Sequence, residues 1–120
     1  MKRPMAMALL AVVSTGATAD EPQGQGYGLG MKSCAEFAKE YRAQPALTES
    51  LFFAWAEGFM SGLNLVATAN SLPARRLASI DMGSAEIQIR GYCDAHPLSQ
   101  YVGAVVTIYN SLPGLPENSN

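Results

Sequence analysis

The chain has 120 residues, of which 48% are apolar and 15% are charged, and its formal net charge at pH 7 is −2. That length predicts one domain, and the acidic balance excludes the basic surface that nucleic-acid binding requires. Glu57 interrupts the most apolar stretch, which leaves no run of about 18 apolar residues to cross a membrane.

Residues 1–19 have the pattern of a signal peptide. Two basic residues precede a short apolar run at 5–13, and small residues at 17–19 form a site that a signal peptidase accepts. Cleavage before Asp20 leaves 101 residues with six basic and ten acidic side chains, a net charge of −4. The sequence therefore predicts an exported product, periplasmic or secreted.

Residues 20–32 are predicted to form a flexible N-terminal arm. Glycine occupies every second position from Gly24 to Gly30, which partly matches the glycine fingerprint of nucleotide sites. No strand precedes these glycines and no βαβ unit surrounds them, so an unstructured arm is the better interpretation.

The first helix is predicted to begin after Ser33. Ser33 and Glu36 have the spacing of a capping box, in which both side chains accept hydrogen bonds from free backbone amides. Pro45 is expected to end this helix. The side chains on its buried face are Cys34, Phe37, Ala38 and Tyr41.

A central amphipathic helix is predicted over residues 48–70, with Thr48 as its cap. Gly58 and Gly62 lie one turn apart on its flank, where a missing side chain lets another backbone approach, either within the chain or in a homodimer. The apolar face has the helical spacing i, i+3, i+4 and i+7. It consists of Phe52, Trp55, Ala56, Phe59, Leu63, Val66 and Ala67.

The connection 71–83 shows no steady hydrophobic period. It contains Pro73 and the pair Arg75 and Arg76, which are expected to be exposed. A connection this long is uncommon in a small domain unless it has a function or a short helix of its own. A solvated surface turn is the preferred interpretation, and Arg75 and Arg76 are the candidate residues if a loop contacts a partner.

Two further helices complete the predicted fold. The third runs from a cap at Ser84 or Asp81 to about Ala95, and the fourth covers residues 98–112. Valine and isoleucine in the fourth segment favour a strand on propensity, but its apolar period favours a helix. The buried stripe of the third helix is Ala85, Ile89, Tyr92 and Cys93. The fourth helix has Leu98, Tyr101, Val102, Val105, Ile108, Tyr109 and Leu112 on one wide face.

The chain contains two cysteines, Cys34 and Cys93. In an exported protein of this size they predict a disulfide, which would close a loop of about 60 residues and contribute about 4 kcal/mol on the chain-entropy model. The bridge would tie the first helix to the third. The overall prediction is an all-α, small four-helix orthogonal bundle with one disulfide, followed by a polar tail at 114–120.

No residue pattern predicts catalysis. Cys93, His96 and Cys34 suggest a three-ligand metal site or a thiol–imidazole pair, but a metal needs reduced thiols and nothing suitable orients the single histidine as a base. His96 is interpreted as a helix-end residue, Trp55 as core and Glu57 as solvated. The sequence therefore predicts a protein that is not an enzyme and that uses no metal and no cofactor.

Three short motifs resemble the HdeA/HdeB type of periplasmic acid-stress chaperone. They are Cys34-Ala35-Glu36-Phe37, Trp55-Ala56-Glu57-Gly58 and Tyr92-Cys93-Asp94-Ala95-His96-Pro97. Members of that family are small, exported and helical, with one disulfide between the first helix and a later cysteine. The resemblance implies that residues 33–113 form an HdeA-like domain. It also implies a homodimer at neutral pH that separates in strong acid and binds unfolding clients.

Residues 96–113 are similar to the closing helix of the Rap/Tai immunity proteins, which neutralise secreted amidase effectors. This second resemblance implies an immunity or inhibitor protein that blocks one enzyme. Both resemblances imply a non-catalytic protein whose partners are other proteins, either unfolding clients or a cognate effector.

Overall fold

The structure is a computed structural model that describes residues 25–116. The expected signal peptide (1–19) and the end of the expected tail (117–120) lie outside the described residues. Within the described part the fold is all-α and contains no strand. Its helices are α1 (Cys34–Ala43), α2 (Pro45–Ala69), α3 (Met82–Ala95) and α4 (Tyr101–Ser111), with short 3-10 turns at Leu29–Met31 and Leu77–Ser79.

The start of α1 confirms the capping box. The Ser33 backbone N–H donates to Glu36 Oε2 at 2.7 Å, and the Glu36 backbone N–H donates to Ser33 Oγ at 3.2 Å. These bonds satisfy amides that the first turn of a helix leaves without partners. α1 therefore begins at Cys34, whose side chain is fully buried.

α2 begins earlier than predicted. Pro45 occupies its first position, and Thr48 lies inside the helix as a buried residue, so Thr48 is not the cap. Proline is favoured at the first position because an N–H there would have no helical partner anyway. Pro45 thus starts α2 as well as following α1, and Gln44 alone separates the two helices.

The buried face of α2 is wider than the predicted one. Six predicted residues are buried or half-buried: Phe52, Trp55, Ala56, Phe59, Leu63 and Ala67. Phe53 and Met60 are buried as well, whereas Val66 is 60% exposed. The reason is that α2 contacts α1, α4 and the Leu29–Met31 turn, so neighbours cover more than one side of it.

Three aromatic rings form the centre of the bundle. Phe37, Phe52 and Tyr101 come from α1, α2 and α4, and their ring centroids lie 4.9–5.0 Å apart. All three are buried, and tilted or edge-on rings at such distances are the favoured arrangement of aromatic pairs. Ile89 and Cys93 of α3 belong to the same apolar cluster, so all four helices share one core.

α3 has one of the two predicted caps and the predicted stripe. The Asp81 carboxylate accepts a hydrogen bond from the Ser84 backbone N–H at 2.9 Å, so Asp81 is the cap and Ser84 is not. Ala85, Ile89 and Cys93 are buried, and Tyr92 is half-buried.

The fourth segment is a helix, as its period predicted, but it starts later. α4 begins at Tyr101, and Leu98 is 94% exposed, so Leu98 is not part of the buried face. The residues before α4 bond to α1 instead, because the Ser99 carbonyl accepts from the Cys34 N–H at 2.7 Å. Ala104, which was not predicted as core, is fully buried.

Residues 25–32 are not the unstructured arm that the glycine spacing suggested. Gly30 is buried against the Trp55 indole, where a Cβ would overlap the ring, and the Trp55 Nε1–H donates to the Tyr27 carbonyl at 3.1 Å. Gly28 has a φ of 89°, a conformation that favours glycine. Two of the alternating glycines therefore serve packing, and Gly24 lies outside the described residues.

Residues 114 and 115, predicted as the start of a polar tail, pair with the connection 71–83. Gly114 forms an isolated antiparallel bridge with Arg75, and the Leu115 N–H donates to the Ala74 carbonyl at 2.8 Å. Across the described range, no helix combines the length and the apolar content that crossing a membrane requires.

Candidate functional site

The predicted disulfide is present and joins the start of α1 to the end of α3. Cys34 and Cys93 are bonded and buried, and 59 positions separate them in the chain. The Ala35 N–H donates to the Pro97 carbonyl at 3.0 Å, which ties the same two regions together beside the bridge. The described residues contain no free cysteine.

His96 does not form a pair with a cysteine. Its ring stacks on Tyr92 with centroids 4.3 Å apart, and its Nδ1 donates to the Tyr92 carbonyl at 2.9 Å. The imidazole is thus held against the end of its own helix. In residues 25–116 no group of three or more histidine, cysteine or acidic side chains is arranged to hold a metal ion.

Arg75 differs from the exposed partner-facing residue that the sequence predicted. It is half-buried, and its Nη1 donates to the Leu112 carbonyl at 3.0 Å. Its backbone N–H donates to Asn64 Oδ1, and its carbonyl accepts from Asn64 Nδ2, both at 2.8 Å. Arg75 therefore fixes the connection to α2 and α4, and of the predicted pair only Arg76 is exposed.

Asn64 is a structural residue that the sequence pattern did not identify. Its side chain bonds both backbone groups of Arg75 and also accepts from the Tyr109 hydroxyl at 2.8 Å. These bonds explain why the long connection 71–83 is ordered although it contains only one 3-10 turn.

Gly58 and Gly62 face open space. A Cβ built on either glycine would meet no atom within 4 Å, so the predicted close approach of another segment does not occur within residues 25–116. The expectation of intrachain packing at these positions is therefore wrong. The reason is that the neighbours of α2 lie on its other sides.

The open side of α2 carries an apolar surface, which we call the α2 stripe. It follows the helical spacing and consists of Leu47, Leu51, Ala54, Gly58 and Leu65. Leu47 and Leu51 are just over half exposed, and Leu65 is 73% exposed. Ser61 interrupts this row between Gly58 and Leu65. Exposed apolar residues grouped on one side of a helix are typical of an interaction surface.

A second surface lies where α2 meets the connection and the start of α3, and we call it the acidic groove. It comprises two adjoining hollows of about 360 and 340 Å³, which share Phe53, Glu57 and Met82. Leu77, Ile80 and Met60 line the first hollow, and Glu49, Glu86 and Ala46 line the second. The groove thus has a mainly apolar end and a carboxylate-lined end, and Glu57 lies where the two meet.

The three carboxylates of the acidic groove differ in their partners. Glu49 forms an ion pair with Arg90, whose guanidinium lies over the Tyr41 ring at 5.2 Å. Burial raises the pKa of Glu86, and the negative charge of Glu57 raises this pKa further. Glu57 and Glu86 line the same hollow, so the charge of Glu57 acts on Glu86 across the groove.

Two exposed carboxylates cap helices and are stabilised in the charged form. Hydrogen bonds from the Ser33 backbone and hydroxyl lower the pKa of Glu36 below its ordinary 4.5. Hydrogen bonds from Ser84 likewise lower the pKa of Asp81 below 3.8. The starts of α1 and α3 thus depend on ionised side chains.

Substituting Gly30 with alanine is expected to release the Tyr27–Met31 segment from Trp55. The added methyl group would overlap the indole, and overpacking of this kind typically costs 1–3 kcal/mol. Because Trp55 is the single tryptophan, its fluorescence emission should shift to longer wavelength. Gly26→Ala is the control, since there the new methyl meets only the flexible end of Met31. Unchanged emission in Gly30→Ala would contradict this packing.

Comparison of the chain with protein-family models, with curated proteins and with solved structures finds no match to any of them.

Proposed function

We propose that this chain is an exported, non-catalytic protein that binds other proteins, and that it acts as an HdeA-like periplasmic stress chaperone. The observation that carries the proposal is the α2 stripe, a set of apolar residues on one side of α2 whose leucines are each more than half exposed. The Cys34–Cys93 disulfide supports an oxidising compartment such as the periplasm.

At neutral pH a second copy of the chain packs against the α2 stripe and forms a homodimer. Two helices approach closely where side chains are small, and Gly58 and Gly62 leave that space open on the exposed side of α2. Leu47 and Leu65 extend the apolar contact on either side of the glycines. Separation of the copies would free this surface for unfolding clients.

The substitution Leu51→Lys is expected to convert a dimer into a monomer. In a two-fold interface the new lysine is present on both copies, and each ammonium group loses its hydration against apolar surface. The dissociation constant of the dimer should therefore rise by at least about tenfold. Sedimentation equilibrium at pH 7 measures it. Ile87→Lys is the matched control, because Ile87 is similarly exposed but lies on α3. Equal dimerisation of both variants would contradict the assignment of the interface.

Strong acid removes several charges on which the fold depends. Below the carboxylate pKa values the mature chain goes from a net charge of −4 to roughly +6 or more, and self-repulsion then opposes the compact state. The capping carboxylates Glu36 and Asp81 lose their ionised form, and so does Glu49, which pairs with Arg90. The starts of α1 and α3 and the α2–α3 contact are thereby weakened together.

The double variant Glu36→Gln with Asp81→Asn should show a shallower loss of stability with falling pH. The pKa values of Glu36 and Asp81 are lower in the folded state than in the unfolded state. The caps therefore stabilise the protein at pH values above the unfolded-state pKa values, which are about 4. This stabilisation is lost as the pH falls through the lower pKa values that the two carboxylates have in the folded state. Urea denaturation at several pH values between 6 and 2 measures the slope. Asp94→Asn, which alters an exposed residue at the other end of α3, is the control, and an unchanged slope in the double variant would contradict this origin.

The chaperone proposal is tested by light scattering of an acid-labile client enzyme at pH 2–3. Wild-type protein should suppress aggregation of the client. The double variant Leu51→Ser with Leu65→Ser should suppress it less well. No protection by the wild-type protein would refute the proposal. Inhibition of one secreted enzyme at neutral pH would then favour the alternative, an immunity or inhibitor protein.

A further inference from the structure

The acidic groove is a concave surface that the proposed chaperone activity does not use. Phe53 and Met60 form its buried apolar floor, and Met82, 60% exposed, stands at the junction of its two hollows. Glu86 lies at the other end, and Glu57 lines both hollows. We propose that the groove binds an apolar segment of a partner protein that carries one arginine or lysine.

Charge complementarity selects the cation. The side chains that line the two hollows include Glu49, Glu57 and Glu86 but no lysine or arginine. Arg90 neutralises Glu49, whereas Glu57 and Glu86 repel each other. A guanidinium or ammonium group between them would relieve that repulsion, and partial burial would strengthen the attraction relative to an exposed ion pair.

The apolar end of the groove selects the rest of the segment. Leu77, Ile80 and Met60 line the first hollow, which adjoins the carboxylate-lined hollow along α2. An extended or helical segment lying along α2 therefore places apolar side chains in one hollow and its cation in the other. Methionine side chains such as Met60 and Met82 adapt to different apolar shapes, which suits recognition of a motif rather than of one exact sequence.

This inference is independent of the α2 stripe. The groove touches that stripe at Ala54, but its carboxylates and its apolar floor lie toward α3 and the connection. Binding to the groove is expected at neutral pH, where the carboxylates are ionised, whereas the client activity is expected in strong acid. Failure of one proposal thus leaves the other unaffected.

The test uses three fluorescein-labelled ten-residue peptides and the mature protein at pH 7. The first peptide has one arginine among leucine and alanine, the second has citrulline in place of arginine, and the third has the arginine among glycine and serine. Fluorescence polarisation should show that the first peptide binds at least about tenfold more tightly than either of the others. One close charge pair or one filled apolar pocket contributes a difference in affinity of about that size. Equal affinities, or no binding of the first peptide at 1 mM protein, would overturn the proposal.

Variants then locate the binding site. Glu57→Gln with Glu86→Gln should weaken the first peptide about tenfold, and Met82→Ser should weaken it about threefold, because Met82 contributes exposed apolar surface. Asp94→Asn removes the same kind of charge from α3 outside the groove and should stay within about twofold of the wild type. Circular dichroism confirms that each variant is folded. Equal weakening by Asp94→Asn would show nonspecific attraction and refute the assignment to the groove.

Discussion

Replacing both Cys34 and Cys93 with alanine is expected to lower the free energy of unfolding by about 4 kcal/mol. The bridge spans 59 positions, and in the chain-entropy model a loop of that length loses much of its freedom in the unfolded state. Domains of this size are typically stable by about 5–15 kcal/mol, so the variant should lose a substantial part of its stability. Urea denaturation followed by circular dichroism at 222 nm measures the change.

Two controls accompany the cysteine variant. A thiol reductant should destabilise the wild-type protein by a similar amount and leave the double variant unaffected, since that variant has no bridge to reduce. A loss below about 1 kcal/mol would contradict the prediction. It would show that the backbone bonds from Cys34 and Ala35 to the segment before α4 hold this region without the disulfide.

The substitution Phe52→Ala is expected to cost 3–5 kcal/mol, the usual range for removing a buried aromatic ring. Phe52 is 1% exposed and contacts Phe37 and Tyr101 at centroid distances of 4.9 Å, so its loss leaves a cavity where three helices meet. Leu51→Ala provides a matched control one position away, because Leu51 is 52% exposed. That change should alter the stability of the monomer by no more than about 0.5 kcal/mol.

An intermediate variant separates the loss of ring contacts from the loss of volume. Phe52→Leu keeps most of the apolar volume, so it should lower the free energy of unfolding less than Phe52→Ala does. A weaker near-ultraviolet circular dichroism signal in Phe52→Leu than in the wild type would report that the Phe37 and Tyr101 rings are disturbed. A cost for Leu51→Ala equal to that of Phe52→Ala would mean that the buried face of α2 is not the one described.

Several features of the fold follow from local sequence. Ser33 and Glu36 are three positions apart, so their capping box is set by residues that meet as soon as the first turn forms. The apolar period of residues 101–111 outweighs the strand propensity of valine and isoleucine, because burial against other helices contributes more than propensity does. The disulfide follows from cysteine count, since a chain with two cysteines allows one pairing.

Other features depend on residues that are far apart in sequence. The sequence predicts a loose arm around Gly30 because no strand or βαβ unit surrounds its glycines. Gly30 packs under Trp55 instead, and the hydrogen bond beside it joins residues 28 positions apart. Arg75 was assigned to a partner-facing loop, yet Asn64 and the end of α4 hold it. A run of neighbouring residues contains no signal for such contacts, because their partners come from other elements.

The sequence by itself determined that the described chain forms four helices, each of which begins and ends within a few residues of its predicted bounds. It also determined that one disulfide joins the first helix to the third. Only the tertiary structure decided which side of α2 is covered, and therefore that Leu47, Leu51 and Leu65 remain exposed while Phe53 and Met60 are buried. It also decided that Glu57 and Glu86, from two different helices, share one groove. The physical reason is that helical periodicity shows which residues lie on one face, whereas burial depends on which neighbours cover that face.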